Sequence, residues 1–172
     1  MFPLNRLSLA YFLRLDNKFQ QGFTLLELLI TVIIIGILSS ISIPAYVAIV
    51  DKFHYGEAKI HMGCLKRELE GVRLEKGYFP PDVGNNNVPV GTECFIKNET
   101  NLVPYNSKYD YENWTASGGC LIQISFFGKN KKRDQPGNSI LFTEPGFHEY
   151  KLNNGDDLIL SLGIQPKEFC SP

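Results

Sequence analysis

Between Phe23 and Val50 the sequence lacks charged residues, with the single exception of Glu27. It also lacks a P-loop, a Gly-x-Ser-x-Gly motif and any recognisable pair of nucleophile and base, so nothing in it predicts an enzyme. The formal net charge is only -1, and without a strong basic field the charge does not indicate nucleic-acid binding. No two cysteines form a Cys-x-x-Cys pair, which argues against a zinc site.

The uncharged run is the segment around which the chain is organised. As a helix, residues 23–50 would extend about 42 Å, at roughly 1.5 Å per residue, and a bilayer core is about 30 Å thick. A carboxylate inside a membrane segment costs on the order of 2.5–3.5 kcal/mol, so Glu27 requires a partner. An ordinary signal anchor would not need a carboxylate at that depth.

The neighbouring residues indicate what that partner is. The stretch GFTLLELLITVIIIGILSSISIPAY, residues 22–46, resembles the class III signal of type IV prepilins and type II secretion pseudopilins. The resemblance implies that a membrane peptidase cuts after Gly22 and methylates the new amino terminus, Phe23. It also implies that Glu27 of one subunit pairs with the Phe23 amine of its neighbour in a filament. A secretory signal fits less well, because its cleavage site follows the apolar run.

The resemblance implies a pilin-like α+β fold, in which a long N-terminal helix packs on a small antiparallel sheet. The chain is expected to divide into a leader (1–22), a transmembrane or filament-core helix (23–50), the amphipathic half of the same helix (51–76) and a globular head (77–172). The leader is basic overall, so we expect it to stay cytoplasmic while the C-terminal part crosses the inner membrane. Its charged residues are Arg6, Arg14, Asp16 and Lys18.

The helical period continues into the polar sequence beyond Asp51. One apolar stripe recurs at spacings of three and four and predicts a face that packs on a sheet; it consists of Ala58, Met62, Leu65, Leu69 and Val72. Gly77 is a fitting stop, so the helix is expected from about residue 24 to about residue 76. Gly36 and Pro44 are its weak points, because glycine forms helix poorly and proline removes a backbone donor. The resemblance implies that the helix can extend or melt between them during assembly.

The head is predicted to be mostly β-structure. Residues 77–118 are rich in turn formers and predict a surface loop with one short strand at Glu93–Lys97. Further strands are predicted at 120–127, 139–144, 148–152 and 157–163. The first two of these are expected to form a hairpin with a long polar tip, and Asn153 to Asp156 predict a tight turn between the last two. Three or four antiparallel strands would then bury the helical stripe.

Four cysteines follow the membrane segment, namely Cys64, Cys94, Cys120 and Cys170. Their even number favours two disulfides in a translocated compartment, and three pairings are open. Resemblance to pilins that tie a C-terminal loop back to the sheet implies the pairs Cys120–Cys170 and Cys64–Cys94.

Three groups of polar residues are candidates for binding, and each also has a plainer explanation. A row on one helical face spans about 15 Å and cannot ligate one ion with all its members, so no metal is predicted there; the row is His54, Glu57, His61 and Cys64.

Major pseudopilins bind calcium in a loop, so the resemblance makes calcium a candidate for four acidic residues. Their spacing matches no calcium loop, and solvated turns are expected instead; they are Asp110, Glu112, Asp156 and Asp157.

The basic hairpin tip is expected to be solvated rather than to bind nucleic acid, because no aromatic residues are interleaved; it contains Lys129, Lys131, Lys132 and Arg133.

These observations predict a structural subunit that is stored in the membrane and assembled into a filament with copies of itself or related pilins. Its other expected partners are membrane lipid, the prepilin peptidase, an inner-membrane assembly platform and a cytoplasmic ATPase. Within this class the alternatives are a type IV pilus (adhesion, twitching motility or DNA uptake) and a periplasmic type II secretion pseudopilus. A hypothesis of a different class is a monomeric membrane-anchored binding domain, which predicts that Phe23 stays uncleaved and that Glu27 is replaceable.

Overall fold

The computed structural model describes residues 22–94, 103–136 and 140–172. Apart from Gly22, the predicted leader therefore lies outside the described residues. The chain forms two compact units, one ending at Tyr46 and the other beginning at Val47, and each is described by itself.

The first unit contains the apolar part of helix α1, which spans Leu25–Lys76. From Gly22 to Tyr46 every side chain is exposed. Among the described residues, α1 is the one helix that is long and apolar enough to cross a membrane. Three of its hydroxyl groups donate within the helix, as a lipid environment favours: those of Thr31, Ser40 and Ser42 donate to the carbonyls of Leu28, Ile37 and Leu38.

The second unit packs the polar half of α1 against a four-stranded antiparallel sheet. The strands are β1 (Tyr109–Ala116), β2 (Gly119–Phe126), β3 (Gly146–Tyr150) and β4 (Asp157–Pro166), in the spatial order β1-β2-β4-β3. Each neighbouring pair is antiparallel. The long helix on a small antiparallel sheet confirms the predicted α+β architecture.

The core lies between the helix and one face of the sheet. All five residues of the predicted helical stripe are buried. Alternate strand residues meet them from the sheet: Tyr109 and Tyr111 from β1, Ile122, Ile124 and Phe126 from β2, and Leu158, Leu160 and Leu162 from β4. The helix ends where the sequence predicts, because Gly77 takes a φ of +84° and its N–H donates to the Arg73 carbonyl at 2.8 Å.

The opposite face of the sheet is also covered. The segment between β2 and β3, described for 128–136 and 140–145, contacts it through side-chain hydrogen bonds. Gln123 donates its amide to the Leu141 carbonyl at 2.6 Å, and the Gln135 amide donates to the Gln123 amide oxygen at 3.3 Å. This cover explains why β2 is buried from Cys120 to Phe126 rather than on alternate residues only.

The strand predictions are partly wrong. Residues 140–144 form no strand, since Phe142 has a φ of +56° and the segment lies across the sheet. The hairpin that contains β2 is formed with β1, which was predicted to lie in a loop, and a two-residue turn at Ser117 and Gly118 joins the two strands. Glu93 and Cys94 are not in a strand, and the rest of that predicted strand lies outside the described residues. The predictions of 120–127 and 157–163 are confirmed, and the strand predicted at 148–152 is shifted to Gly146–Tyr150.

Candidate functional site

The predicted processing site lies just before α1. Gly22, Phe23 and Thr24 precede the helix, and Phe23 is 80% exposed. The bond between Gly22 and Phe23 is therefore outside the helical hydrogen bonding and is accessible in the described part of the chain. Cleavage and methylation at this position stay predictions.

The side chain of Glu27 accepts two hydrogen bonds, both from Thr24. The backbone N–H and the hydroxyl of Thr24 donate to Glu27 Oε2 at 2.9 and 2.8 Å, and the backbone N–H of Glu27 donates back to the Thr24 hydroxyl at 3.2 Å. This reciprocal arrangement is a capping box, which satisfies N–H groups that the first helical turn leaves free. This capping box was not predicted, although its signature, Thr-x-x-Glu before an apolar run, is present in the sequence. Glu27 thus holds the start of α1 within its own chain.

The two predicted weak points, Gly36 and Pro44, both lie inside α1, and the helix is continuous through them. A side chain at Gly36 would meet nothing within 4 Å, so packing within the described residues does not require glycine there. Pro44 supplies no backbone N–H, which leaves the Ser40 carbonyl without its usual helical donor. That these positions can extend or melt stays a prediction.

Two disulfides tie the second unit together in the structure. Cys64 is bonded to Cys94, with 5.8 Å between the Cα atoms, and Cys120 to Cys170, with 5.7 Å. This is the pairing that the family resemblance implies. The first bond fastens the loop after α1 to the helix, where Glu68 also accepts the N–H groups of Glu93 and Cys94 at 2.7 Å. The second fastens the C-terminal segment to β2.

The helical row considered for a metal does not converge on one point. Cys64 is bonded in a disulfide. His61 Nδ1 lies 3.1 Å from the Tyr109 hydroxyl, and His54 Nδ1 lies 3.7 Å from the Glu57 carboxylate. These side chains therefore serve structural contacts in the head.

The predictions for the acidic residues and the basic tip are wrong in one respect, since Asp110, Glu112 and Arg133 form a buried network rather than solvated turns. Asp110 and Glu112 lie in β1 and are 3% and 4% exposed. Arg133 Nη1 donates to Asp110 Oδ2 at 3.0 Å, Nη2 contacts Glu112 Oε1, and the guanidinium lies 5.4 Å from the centre of the Trp114 ring.

The lysines of the tip are less enclosed, and one of them, Lys129, pairs with Asp51 of α1 at 3.1 Å. Lys129, Lys131 and Lys132 are exposed, whereas Arg133 is half-buried.

A second acidic cluster lies where the tip meets the start of β4. Oxygen atoms of Asp134, Asp156 and Asp157 are all within 4.8 Å of one another. Backbone N–H groups satisfy one oxygen of each; for example, Asp134 and Gln135 donate to Asp157 Oδ2 at 2.8 and 2.9 Å. Burial raises the pKa of Asp157 to about 6, although these two N–H groups lower it. The oxygen ligands suit calcium, but acidic groups commonly cluster without an ion, and we assign none.

The buried network of β1 has one cation for two carboxyl groups, so one proton is retained. Burial, and then the neighbouring Asp110, raise the pKa of Glu112 to about 8, against the opposing effect of Arg133. Burial also raises the pKa of Asp110. Glu112 is therefore protonated at neutral pH in the folded chain and ionised in the unfolded one.

This difference predicts that the head loses stability as the pH rises from about 5 to about 8. Over this range the folded state binds the proton on Glu112 and the unfolded state does not, so each increase in pH favours unfolding. We expect a loss on the order of 1–3 kcal/mol, measured as the urea dependence of unfolding at pH 5 and pH 8. Glu112→Gln keeps the shape and removes this titration, so it should make the profile less steep and leave the smaller contributions of Asp110 and Asp157, whose pKa values burial also raises. An unchanged profile in that variant would contradict the assignment.

Comparison with known proteins agrees with the N-terminal pattern. Residues 17–43 match the family model described as the prokaryotic N-terminal methylation motif. The chain is 31% identical to the type IV major fimbrial protein FimA of Dichelobacter nodosus over 112 residues, which are 64% of this chain and 69% of FimA. It is 27% identical to the type II secretion system core protein G of Vibrio cholerae over 149 residues, 87% of this chain and 84% of that protein.

Another relative matches over a shorter length. The fimbrial protein EcpC of Eikenella corrodens is 41% identical over 66 residues, which are 38% of this chain. The chain spans 43% of the length of EcpC. No solved structure gives a significant match.

Proposed function

Because this chain belongs to the family of type IV pilins and type II secretion pseudopilins, we propose that it is processed after Gly22 and polymerised through α1 into a pilus. The relatives are structural subunits and not enzymes. One observation carries the proposal: the first part of α1 buries none of its apolar side chains, yet includes an acidic residue, Glu27, four positions after Phe23. Such a surface needs lipid or other copies to cover it.

The proposed assembly contact is an ion pair between subunits. Cleavage after Gly22 creates a cationic amine on Phe23, and Glu27 of an adjoining subunit supplies the opposite charge. In an apolar environment a subunit in the wrong register would leave a buried charge unpaired, so the pair selects the correct register. The capping box is compatible with this, because only Oε2 of Glu27 accepts hydrogen bonds from Thr24.

The proposal defines a route and a set of partners. The chain is inserted in the inner membrane with one span, its leader in the cytoplasm and its head outside. The prepilin peptidase cuts and methylates it, and an assembly platform driven by a cytoplasmic ATPase adds it to a filament. The energy must come from that ATPase, since this sequence has no nucleotide-binding motif. The function requires no cofactor.

A type II secretion pseudopilin is the second candidate. It is favoured by the match to core protein G, which extends over 87% of this chain, whereas the two disulfides and the loop after α1 favour a pilin. Deleting the gene and assaying both motility and the release of secreted proteins separates these two roles.

The mature N-terminus is the direct test. Mass spectrometry of the protein isolated from cells is expected to find N-methylated Phe23 as the first residue, and Gly22→Ala is expected to retain the leader, because the resemblance places the cut after Gly22. A Thr24→Ala variant, which changes the helix cap and not the bond, should still be processed. Protein that keeps residues 1–22 and remains a single subunit would overturn the proposal in favour of the anchored binding domain.

A further inference from the structure

Two loops leave the sheet of the second unit at the same end. Strands β2 and β3 finish at this end and β4 begins there, so that Phe126 and Glu149 both pair with Leu158. The first loop, 128–136, follows β2, and the second, 151–156, joins β3 to β4. We call these two loops the base of the head.

Both loops of the base contact the beginning of the polar half of α1. Lys129 pairs with Asp51 at 3.1 Å, and the Tyr55 hydroxyl donates to the Asp156 carbonyl at 2.8 Å. Asp51 is the first residue after the uncharged run 23–50. The base of the head is therefore held beside the point at which α1 changes from apolar to polar.

The length of the uncharged run places this point relative to a bilayer. The run is about 42 Å long as a helix, and a bilayer with both headgroup layers is about 40–45 Å thick. When α1 spans a membrane, Asp51 is then expected at the outer surface of the headgroup layer. Tyr46, which is 69% exposed, precedes it by five residues, and tyrosine is enriched at such interfaces. The base is therefore expected to face lipid headgroups.

The acidic residues of the base are engaged by the base itself, and the lysines are not. Asn130 donates its side-chain amide to Asp134 at 2.7 Å and its backbone N–H to Asp156 at 3.0 Å, and both aspartates are half-buried. Lys131 and Lys132 are exposed, and within the described ranges neither ammonium group has an ion pair. The surface of the first loop is therefore cationic.

The conformation of this loop is fixed. Lys131 has a φ of +62°, in the left-handed region that glycine or asparagine would adopt at lower cost. The backbone N–H of Lys132 donates to the Asn130 side-chain oxygen at 2.7 Å. The turn itself gives no reason for lysine at position 131, so we look for the reason in what the side chain contacts outside the subunit.

The second loop of the base presents an apolar side chain. Leu152 is 66% exposed and is followed by Asn153 and Asn154, which turn the chain with φ values of +54° and +60°. Its neighbour Lys151 pairs only with the exposed Glu149, and exposed pairs of this kind contribute little to stability. An exposed leucine at the end of a loop, beside lysine, suits the boundary between headgroups and acyl chains.

Two further lysines adjoin the base. Lys52 follows Asp51 in α1, and the Lys108 carbonyl accepts the N–H of Phe127 at 3.0 Å, next to the first loop. Both are exposed and have no ion pair in the part of the chain that the structure describes. A chain with a formal net charge of -1 thus has a cationic surface at the end that adjoins the apolar helix. Such a surface attracts an anionic membrane over a Debye length, about 8–10 Å.

We propose that the base of the head lies on anionic phospholipid headgroups while the subunit is stored in the membrane. Lys131 and Lys132 contact the phosphates, and Leu152 enters the interfacial layer. Nucleic acid is also a polyanion, but the exposed leucine and the position beside the end of the apolar run favour lipid. The contact uses exposed charges that salt screens, so it is reversible and lets the subunit leave the membrane. The inference rests on the proposed function in requiring α1 to span the membrane, but it does not depend on polymerisation.

The first test reads the contact directly. The full chain, with a photo-crosslinking residue in place of Leu152, is reconstituted in phosphatidylcholine vesicles in which about a third of the lipid is phosphatidylglycerol. The matched control has the same residue in place of Leu74, which is 79% exposed but lies about 34 Å further along α1. Lipid adducts, measured by mass spectrometry, should be about tenfold more abundant from position 152. In vesicles of phosphatidylcholine alone, the yield from position 152 should fall about tenfold.

The second test changes the charge. Lys131→Glu with Lys132→Glu should lower the lipid adducts from position 152 about tenfold in the anionic vesicles. Lys76→Glu with Lys167→Glu makes the same change in net charge at exposed lysines at the other end of the head and should leave the yield unchanged. All four lysines are exposed, so both variants should unfold at the temperature of the wild type, which thermal unfolding checks.

Three results would overturn the inference and leave the proposed function in place, provided that the mature chain begins with methylated Phe23. The first is equal capture of lipid from positions 152 and 74, and the second is capture that does not depend on phosphatidylglycerol. The third is retention of duplex DNA that the Lys131 and Lys132 reversal abolishes, without capture of lipid, which would assign the base to nucleic acid. A chain that is neither processed nor inserted in the membrane would instead overturn the proposed function.

Discussion

Replacing Glu27 with leucine is expected to abolish filament assembly while leaving processing after Gly22 intact. In the proposed ion pair, this change removes the counter-charge of the Phe23 amine of the adjoining subunit in an apolar environment. Removing one member of a buried ion pair costs about 3–5 kcal/mol, which is roughly a 150- to 4,000-fold loss in the affinity of each subunit for the filament. Sheared filaments, quantified against the membrane pool of processed subunit, measure the effect.

The capping box makes a second substitution necessary. Glu27 also accepts two hydrogen bonds from Thr24, so the leucine variant removes a helix cap together with the charge. Glu27→Gln keeps a side-chain oxygen for the cap and removes only the charge. Thr24→Ala removes the two hydrogen bonds of the cap that involve the Thr24 hydroxyl and keeps the charge. A cap is worth about 1 kcal/mol, so Thr24→Ala should assemble within about tenfold of the wild type and Glu27→Gln should not. The reverse order would show that Glu27 acts through the cap alone.

The elements that could be predicted from the sequence are those whose pattern is local. The stripe from Ala58 to Val72 fixes both the helix and the face that it buries, and Gly77 fixes its end. The strands β2 and β4 are long apolar runs, and their sequences show no competing helical or turn pattern. In each case the pattern of apolar residues along a short segment is sufficient to predict the element.

The elements that could not be predicted depend on distant partners. Strand β1 contains Asp110 and Glu112, and acidic residues are depleted in strands. They are accommodated because Arg133, which follows in the chain after β2, reaches back to them. Conversely, residues 140–144 have the composition of a strand, but the carbonyls of Leu141 and Phe142 accept hydrogen bonds from the Gln123 side-chain amide instead of from a neighbouring strand. These contacts are tertiary, and sequence periodicity carries no trace of them.

The candidate site divides in the same way. The motif around Gly22, Phe23 and Glu27 is contiguous and was recognised from the sequence, and the Thr24 cap could have been found by its spacing. The acidic cluster was missed in part, because Asp134 precedes Asp156 by a whole strand and its loops.

Removing the disulfide between Cys120 and Cys170 is expected to lower the free energy of unfolding of the head by about 4 kcal/mol. The bond closes a loop with a sequence separation of 50 residues, and the loss of that constraint increases the conformational freedom of the unfolded chain. Alanine is the replacement of choice, because Cys120 is buried in the core and serine would place a hydroxyl there. Urea unfolding of the double alanine variant against the wild type, under oxidising conditions, measures the difference.

The second disulfide provides the matched comparison. Cys64 and Cys94 are separated by 30 residues, and loop entropy grows only with the logarithm of length, so their removal is expected to cost about 3.6 kcal/mol. Nearly equal losses of unfolding free energy in the two double alanine variants would support this pairing. Both differences from the wild type should disappear when the wild type is reduced before it is unfolded. Non-reducing peptide mapping decides the connectivity independently. A peptide that joins Cys64 to Cys120 or to Cys170 would contradict it, and so would an unfolding midpoint that reduction leaves unchanged.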